Sequence, residues 1–359
     1  MKKLKVKSML LTALSALIIM TTACSSNEAS TDAKPAEGAG GEQQTYNVRL
    51  VHEEIPGSVQ DQYAQKFKEV LEEKSNGKFK VEVYPVGQLG DATQQAELLQ
   101  NGGVEFAITS PGTTGTLVPE NQLFSLHFLF SEDMELNKKI LNESKALNEE
   151  LNKIYEEKNI KVLSYWTEGF MDWTSSKPLD TPEGFKGFKM RTMASPMIVS
   201  AYEAYGASPT PVPYMEVYSG LQLKMIEGQE NPMFAIEEMK FYEVQKYLTL
   251  SHHCLYVTST AVNPDFFNSL PAEEQQLVLD TVEELKDYSF EIQDKLNSER
   301  LEKIKAASDI EIVTLTDEQR AAFKEASKSA RAKFVELAGE RGDTILTQLE
   351  EEIAAITKK

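Results

Sequence analysis

The sequence predicts an α/β protein of two lobes that are crossed by one long helix. Strand-like and helix-like segments alternate after Tyr46, an order that favours a mostly parallel sheet with a ligand site at the carboxyl ends of its strands. A second set of strand and helix begins near Arg191 and indicates a second lobe. An apolar period from Pro271 to about Ala307 predicts a helix of roughly 55 Å, longer than one small lobe needs.

The elements of the first lobe follow from apolar periodicity along the chain. Strands are predicted where apolar and polar residues alternate, and helices where apolar residues recur every three or four positions. Asp91 with Gln94 three residues later is an N-cap pattern and predicts the start of one helix. The predicted strands are residues 46–50, 79–83, 104–108 and 160–166, and the predicted helices are 59–75, 91–101 and 133–158.

Length, composition and charge exclude several functions. The chain has 359 residues, of which 41% are apolar, enough for about two domains with sizeable cores. Its 56 acidic residues against 37 basic ones give a net charge of −19, which disfavours nucleic acid as a partner because phosphates would be repelled. An anionic ligand must therefore be bound by local positive charge. Two cysteines, Cys24 and Cys254, are too few for a disulfide framework or a four-sulfur metal site.

The N-terminal segment predicts export and attachment to a membrane. Residues 1–23 combine several lysines with a short apolar run, as in a signal peptide. The run ends in Thr21-Thr22-Ala23-Cys24, which resembles a bacterial lipobox, in which the cysteine is acylated and becomes the first mature residue. Residues 24–44 then predict a lipidated cysteine and a flexible tether, because they lack the aromatic residues that could bury apolar surface. An ordinary secretory signal with an incidental cysteine is the alternative.

Candidates for catalysis and for metal binding are few. His252, His253 and Cys254 form the one cluster of histidine and cysteine, but adjacent residues on a strand point to opposite faces and could not easily bind one metal. No GxSxG, Walker or GxGxxG motif occurs. We therefore expect no catalytic residue, no metal and no cofactor, and a hydrolase is the runner-up class.

Arg191 is the strongest single candidate for a binding residue. It is the only arginine between positions 50 and 299. A planar guanidinium binds a carboxylate through two parallel hydrogen bonds, which a lysine cannot imitate. At a strand end where the second lobe begins, Arg191 is suited to bind an anionic ligand. A surface ion pair is the structural alternative.

Five short motifs together resemble the TRAP-transporter solute-binding proteins of the DctP family. They occur in the family's order, and the resemblance extends from Tyr46 to the C-terminal helices: YPVGQLG at 84–90, KGFKMR at 186–191, GASPTP at 206–211, EVY at 216–218 and GQENP at 228–232. The resemblance implies a two-lobe periplasmic-binding-protein-like fold with a long helix spanning both lobes. It also implies that the lobes close on a small organic acid and deliver it to a TRAP membrane permease that runs on an ion gradient.

The resemblance further implies which residues bind the ligand. Arg191 matches the arginine that binds the ligand's carboxylate, and Asn231 matches an asparagine that hydrogen-bonds the same group. Tyr214 matches an aromatic residue that packs on the ligand, although core packing is its alternative role.

This chain departs from the family where many members carry a second arginine, because Met171 occupies that position. A second guanidinium for a distal carboxylate is therefore missing. Trp166 and Phe170 offer apolar surface instead, so the expected ligand is a monocarboxylate with an apolar or neutral tail. In the first lobe, polar residues occur where other members contact the ligand: Glu53, Glu54 and Ser110.

Each predicted lobe combines two stretches of the chain. The first lobe is residues 45–168 with about 257–296, and the second is residues 169–256 with about 297–359. The predicted protein is extracytoplasmic and anchored by its lipid to the cell membrane, in the periplasm or at the outer face of the cytoplasmic membrane, where it feeds a TRAP permease. A secreted hydrolase that acts on a small acidic molecule in the same cleft is the alternative.

Overall fold

The computed structural model describes residues 44–357, so Cys24, the predicted signal peptide and nearly all of the predicted tether lie outside the described residues. The strands are β1 Tyr46–Val51, β2 Phe79–Tyr84, β3 Phe106–Thr109, β4 Lys161–Ser175, β5 Arg191–Thr192, β6 Thr210–Pro211, β7 Gly228–Asn231, β8 Tyr247–Val262 and β9 Glu311–Thr314. The α-helices are α1 Val59–Lys74, α2 Ala92–Gln100, α3 Pro111–Thr114, α4 Met134–Glu143, α5 Asn152–Glu157, α6 Pro196–Glu203, α7 Val217–Gln222, α8 Met233–Glu238, α9 Pro264–Ser269, α10 Ala272–Ala307 and α11 Asp317–Thr357. Shorter helical turns lie at Pro119–Ser125, Ala146–Leu151, Pro182–Phe185, Tyr214–Glu216 and Phe241–Glu243.

A seven-stranded sheet forms the centre of the fold, in the order β2, β1, β3, β8, β4, β7, with β9 also paired to β8. β1 is parallel to β2 and to β3, as predicted. β8, however, is antiparallel to β3 and β4, and β4 is antiparallel to β7. The sheet is therefore mixed, and the prediction of a mostly parallel sheet is wrong. The antiparallel pairs are all made by the two long strands β4 and β8. The alternation pattern predicted only the first part of β4 and did not predict β8.

Strands β4 and β8 connect the two lobes. β3 pairs with the end of β8, residues 259–262, whereas β9 pairs with its beginning, residues 247–250. β7 pairs with the end of β4, residues 172–175. The same two strands thus carry the sheet of one lobe at one end and the sheet of the other lobe at the other end, which is the two-lobe α/β arrangement that the sequence predicts.

The middle of the β4–β8 pair is irregular. The register shifts within residues 167–173, and Gly169 there has a φ of +106°. Glycine is also required at this position for space, since a Cβ would lie 2.5 Å from Nδ2 of Asn297 on α10. The long helix and the irregular part of β4 therefore touch where the strands pass from one lobe to the other.

Helix α10 spans Ala272–Ala307 and follows the N-cap residue Pro271, as the apolar period predicts. Its 36 residues extend about 54 Å. Val278 and Leu285 pack into the core that contains β1 to β3, whereas Ile304 packs into a separate core with β8 residue Leu248. The helix accordingly reaches both lobes. Within residues 44–357, no helix combines the length and the apolar character needed to cross a membrane.

One predicted helix is interrupted in the structure, and the C-terminal helix is broken at a glycine. The predicted helix 133–158 is interrupted, because Ser144 is extended (φ −60°, ψ 126°) and separates α4 from the following turns. In α11, Gly339 is non-helical (φ +68°), and the Arg331 side chain before it bonds Glu350 after it, so the two halves pack side by side. Buried residues on both sides of this break belong to the core of β1 to β3: Ala330, Phe334, Ile345, Leu346 and Leu349. Much of the C-terminal segment therefore packs against elements of the first lobe.

Candidate ligand-binding site

Arg191 is buried, with 3% of its surface exposed, at the start of β5. Its Nε donates to the backbone oxygen of Val212 at 2.9 Å. Burial lowers the pKa of the guanidinium below its ordinary value, and this effect is partly offset by Glu230. The other five arginines each pair with a carboxylate: Arg49 with Glu105, Arg300 with Glu237, Arg320 with Glu132, Arg331 with Glu350 and Arg341 with Glu157.

Within the described chain, the most buried arginine is thus the one without an ion pair. A buried guanidinium that lacks an anion is unfavourable unless a ligand or another group supplies one. Its two terminal nitrogens are therefore available for a ligand's carboxylate.

Arg191 lies between a small inner chamber and a wider outer cleft. The inner chamber has a volume of about 30 Å³, room for one or two water molecules. It is lined by Glu53, Glu54, Ala92, Arg191, Met193, Tyr214, Asn231 and Tyr256. The outer cleft, of about 320 Å³, continues to exposed residues such as Met215. It shares four lining residues with the inner chamber: Ala92, Arg191, Met193 and Tyr214. A ligand larger than water that reaches the inner chamber must therefore displace side chains or separate the lobes.

Glu53 faces the inner chamber from the end of β1. Ser110 donates to its carboxylate through the backbone N–H at 3.1 Å and through Oγ at 2.7 Å, and the Thr113 hydroxyl donates as well. Burial raises the pKa of Glu53 to about 8, although these hydrogen bonds lower it in part. Among residues 44–357, no lysine or arginine forms an ion pair with this carboxylate. Ser110, which the sequence analysis named as a candidate, therefore hydrogen-bonds the Glu53 carboxylate but does not line the inner chamber itself.

Asn231 lies on β7, which is fixed in place by buried polar side chains. Asn231 donates through Nδ2 to Oε1 of Gln229. On the opposite face of the strand, Oε2 of Glu230 lies 2.7 Å from Nε2 of His253 and accepts a hydrogen bond from the Tyr202 hydroxyl. Burial raises the pKa of Glu230 and lowers that of His253. The Trp173 indole N–H donates to the Tyr202 hydroxyl at 2.8 Å, which completes the connection between β7 and the core of the second lobe.

Tyr214 contributes an aromatic ring and a hydroxyl that has no hydrogen-bond partner among the described residues. The hydroxyl is buried although the residue as a whole is half-buried, and the ring packs edge-on against Phe241 at 6.4 Å. An unpaired buried hydroxyl costs free energy, so a polar atom of a ligand would have a favourable partner here.

Three further predicted residues lie outside the inner chamber and outer cleft. Met171 lines a neighbouring cavity of about 20 Å³, separated from the inner chamber by Met193 and Tyr256. Trp166 stacks on the Tyr63 ring at 4.6 Å, and its indole N–H donates to Thr260. Phe170 stacks on the His252 ring at 5.0 Å. The structure therefore brings together Arg191, Asn231, Tyr214 and Glu53 but does not bring Trp166 or Phe170 to them.

Sequence reasoning missed three residues of the inner chamber, Ala92, Met193 and Tyr256. Met193 lies two positions after Arg191, and the period of a strand places such residues on one face, so this signal was present in the sequence. Tyr256 lies in the middle of β8, which the alternation pattern did not predict.

The comparisons with known proteins show the family of this chain. Residues 50–337 match the model of the DctP family, described as bacterial extracellular solute-binding protein, family 7. The chain belongs to this family. The resemblance found in the sequence motifs is thereby confirmed.

Two relatives of this DctP-family protein are named for the solute that they bind. The ectoine-binding periplasmic protein TeaA of Halomonas elongata is 42% identical over 311 residues, which cover 86% of this chain and 91% of the relative. The ectoine/5-hydroxyectoine-binding periplasmic protein UehA of Ruegeria pomeroyi is 38% identical over 321 residues, which cover 89% of this chain and 94% of the relative.

Solved structures of the family have the same fold. The ectoine-binding protein of the TeaABC TRAP transporter of Halomonas elongata aligns with a TM-score of 0.83 at 42% identity, over 86% of this chain and all of that one (100%). A TRAP solute-binding protein from Desulfovibrio salexigens with bound orotic acid aligns with a TM-score of 0.83 at 30% identity, over 87% and 100% of the two chains. The two-lobe fold is confirmed, and this DctP-family protein is an extracytoplasmic solute-binding protein that works with TRAP permease subunits.

Proposed function

We propose that this protein binds a small zwitterion of the ectoine type and delivers it to its TRAP permease. The observation that carries the proposal is the composition of the inner chamber, in which one unpaired arginine and two buried acids, Glu53 and Glu54, line the same space. Ectoine has one carboxylate and one cationic amidine in a small ring, and two relatives at 42% and 38% identity are named for binding it.

The two charges of such a ligand match the two kinds of group in the inner chamber. The carboxylate would accept two hydrogen bonds from the Arg191 fork and one from Asn231. The amidine cation would lie near Glu53 and Glu54, which lack a cationic partner among the described residues. Met193 and the aromatic residues Tyr214 and Tyr256 would then contact the ring. Each charge of the ligand would then be paired with an opposite charge of the protein. This pairing offsets the free-energy cost of burying the charged groups, which a ligand with only one charge would offset only in part.

This ligand differs from the expected one at its distal end. The sequence analysis expected a monocarboxylate with an apolar or neutral tail, since Met171 replaces a second arginine. The single carboxylate is retained in the proposal, but a neutral tail would supply no cation to Glu53 and Glu54. A second carboxylate at that end would be repelled by the same acids.

Ligand preference tests the proposal directly. We expect ectoine to bind at least about a hundredfold more tightly than succinate or cyclohexanecarboxylate, because only ectoine supplies a cation to the acids. Isothermal titration calorimetry with the three compounds measures this. Glu53→Gln keeps the size and an acceptor oxygen but cannot ionise beside the cation, and we expect it to weaken ectoine binding about tenfold or more while leaving cyclohexanecarboxylate binding nearly unchanged. Equal affinity for ectoine and cyclohexanecarboxylate would contradict the proposal.

A lipid anchor at Cys24 is a second proposal, carried by the lipobox-like sequence before it. We expect Cys24→Ala to move the protein from the membrane fraction to the soluble fraction, because the acyl chains supply the membrane affinity. Immunoblotting of fractionated cells measures the distribution. Cys254→Ala is the matched control, since Cys254 lies at a partly exposed position of β8 and is a free thiol, and it should stay with the membrane. Unchanged fractionation of Cys24→Ala would exclude the anchor.

The hydrolase alternative gains no support from the arrangement of serine, histidine and acid. Ser251 Oγ lies 2.7 Å from Nδ1 of His253, whose Nε2 lies 2.7 Å from Glu230. Ser251 and His253 are fully buried, and neither lines the inner chamber or the outer cleft. A nucleophile must be able to reach its substrate. The position of these three hydrogen-bonded side chains therefore indicates a structural role.

A further inference from the structure

We propose that Glu54 and Glu168 share one proton while the inner chamber is empty, and that the cationic end of the ligand displaces this proton on binding. The inference rests on the proposed function and adds to it a residue that lies behind the inner chamber. Glu54 lines the inner chamber, whereas Glu168 does not. Glu168 is therefore a positioning residue that acts through Glu54.

The two carboxyl groups are held together by Gln60. The backbone N–H of Gln60 donates to Oε2 of Glu54 at 3.3 Å, and its side-chain amide donates to Oε1 of Glu168 at 2.8 Å. Thr258 donates to the same Oε1 atom of Glu168 at 2.5 Å. Both acids are buried, with exposures of 5% for Glu54 and 0% for Glu168.

The second oxygen of Glu168 provides the decisive observation. Oε2 of Glu168 is buried. No donor among the described residues forms a hydrogen bond with it as long as Glu54 is ionised. The Glu54 side chain is, however, within hydrogen-bonding contact of Glu168. A carboxyl group with a proton is a donor, so a protonated Glu54 can supply the hydrogen bond that Glu168 lacks.

The surroundings favour one proton on the pair. Burial, followed by the charge of Glu168, raises the pKa of Glu54 well above its ordinary value, and burial also raises the pKa of Glu168. Two buried carboxylates in contact cannot both remain charged without a cation. Arg300, the guanidinium on this side of the fold, already pairs with Glu237 and Glu238. The other titratable groups that face the pair are His52, Glu53, Glu238, Tyr214 and Tyr256.

A ligand cation beside Glu54 changes this balance. Before binding, the pair carries one proton and one negative charge. After binding, the cation stabilises both carboxylates, and the proton passes to the solvent, so the ligand's positive charge replaces that of the proton. A monocarboxylate with a neutral tail cannot make this exchange, because it brings no positive charge. Proton release thus distinguishes the two ligand classes.

Calorimetry in buffers of different ionisation enthalpy tests the exchange. With ectoine as the probe at neutral pH, titrations in phosphate, Hepes and Tris should show release of at least about one proton by the unaltered protein, to which Glu53 adds because its pKa is also raised, to about 8. Glu168→Gln should bind ectoine with clearly less proton release than the unaltered protein, because the charge of Glu168 no longer helps to keep the proton on the buried Glu54. Glu120→Gln is the matched control: Glu120 is also buried but pairs with Arg341, and this variant should still release the proton. Ectoine binding by the unaltered protein with equal enthalpies in all buffers, after correction, would overturn the inference.

A measurement without ligand separates this inference from the proposed function. An acid whose pKa is raised in the folded state binds more protons folded than unfolded, so the pair's contribution to stability is present at low pH and is lost as the pH rises. Between about pH 5 and about pH 8, the free energy of unfolding should therefore fall more steeply for the unaltered protein than for Glu168→Gln. If ectoine does not bind but the two slopes differ in this way, the ligand proposal fails and the shared proton stands. Equal slopes would overturn the shared proton.

Discussion

Arg191→Ala is expected to weaken ectoine binding at least about a hundredfold, which corresponds to roughly 2.7 kcal/mol or more. The substitution would leave the ligand's carboxylate in a buried chamber without its charged partner, and such losses commonly reach several kcal/mol. Arg191→Lys should recover little, because a lysine lacks the planar fork that binds two carboxylate oxygens. It would also lose the hydrogen bond from Nε to Val212 that orients the side chain.

Calorimetric titration with ectoine measures both variants, and circular dichroism checks that each one is folded. Arg341→Ala is the matched control, since it removes the same charge from a half-exposed ion pair with Glu157. We expect its affinity to stay within about twofold of the unaltered protein, because exposed ion pairs contribute little. An Arg191→Ala affinity within about tenfold of the unaltered value would show that the carboxylate is bound elsewhere.

Trp173→Ala is expected to lower the free energy of unfolding by about 3–5 kcal/mol. Trp173 is fully buried in the core of the second lobe, where its ring centroid lies 4.9 Å from those of Phe185 and Phe323. Its indole N–H also donates to Tyr202 at 2.8 Å, so the change removes a large apolar group and a buried hydrogen bond together. The Tyr202 hydroxyl would retain its bond to Glu230 but lose the one that anchors it to this core.

Chemical denaturation followed by circular dichroism measures the loss. Trp173→Phe is the graded control, because it keeps an aromatic ring and should be much less destabilising than the change to alanine. The chain has two tryptophans, so the fluorescence of either Trp173 variant reports Trp166 alone and shows whether the first lobe unfolds in the same transition. A loss below about 1 kcal/mol would mean that the core of the second lobe does not depend on this ring.

Elements with local signals were predicted well from the sequence. The capping box of Asp91 and Gln94 is present at the start of α2, and Pro271 immediately precedes α10. Strands β4 and β8 were predicted poorly for a physical reason. Most residues of β4 from Ser164 onward are buried on both faces of the sheet, so apolar and polar residues do not alternate as they do in a strand with one exposed face. The irregular turn of the backbone at Gly169 further disrupts the period.

The candidate site was predictable to the extent that it depends on short motifs. Arg191 and Asn231 lie in such motifs, and the structure places both at the inner chamber. Trp166 could not be assigned from sequence, because a buried aromatic residue has the same pattern whether it faces a core or a ligand. The contact of Glu54 with Glu168 could not be predicted from the sequence either, because it depends on how β1 and β4 are placed in three dimensions.

The shared strand β8 determines when this chain can fold during its synthesis. β3 is completed by a partner strand far along the chain, with Thr109 Oγ1 lying 2.9 Å from Ser259 Oγ across a separation of 150 residues. Until the ribosome has made β8, the sheet of β1 to β3 has an open edge and no neighbour to cover it. We therefore expect stable folding of this sheet to wait until β8 has been made. For the same reason, neither lobe corresponds to a continuous piece of the chain that could be excised and produced alone.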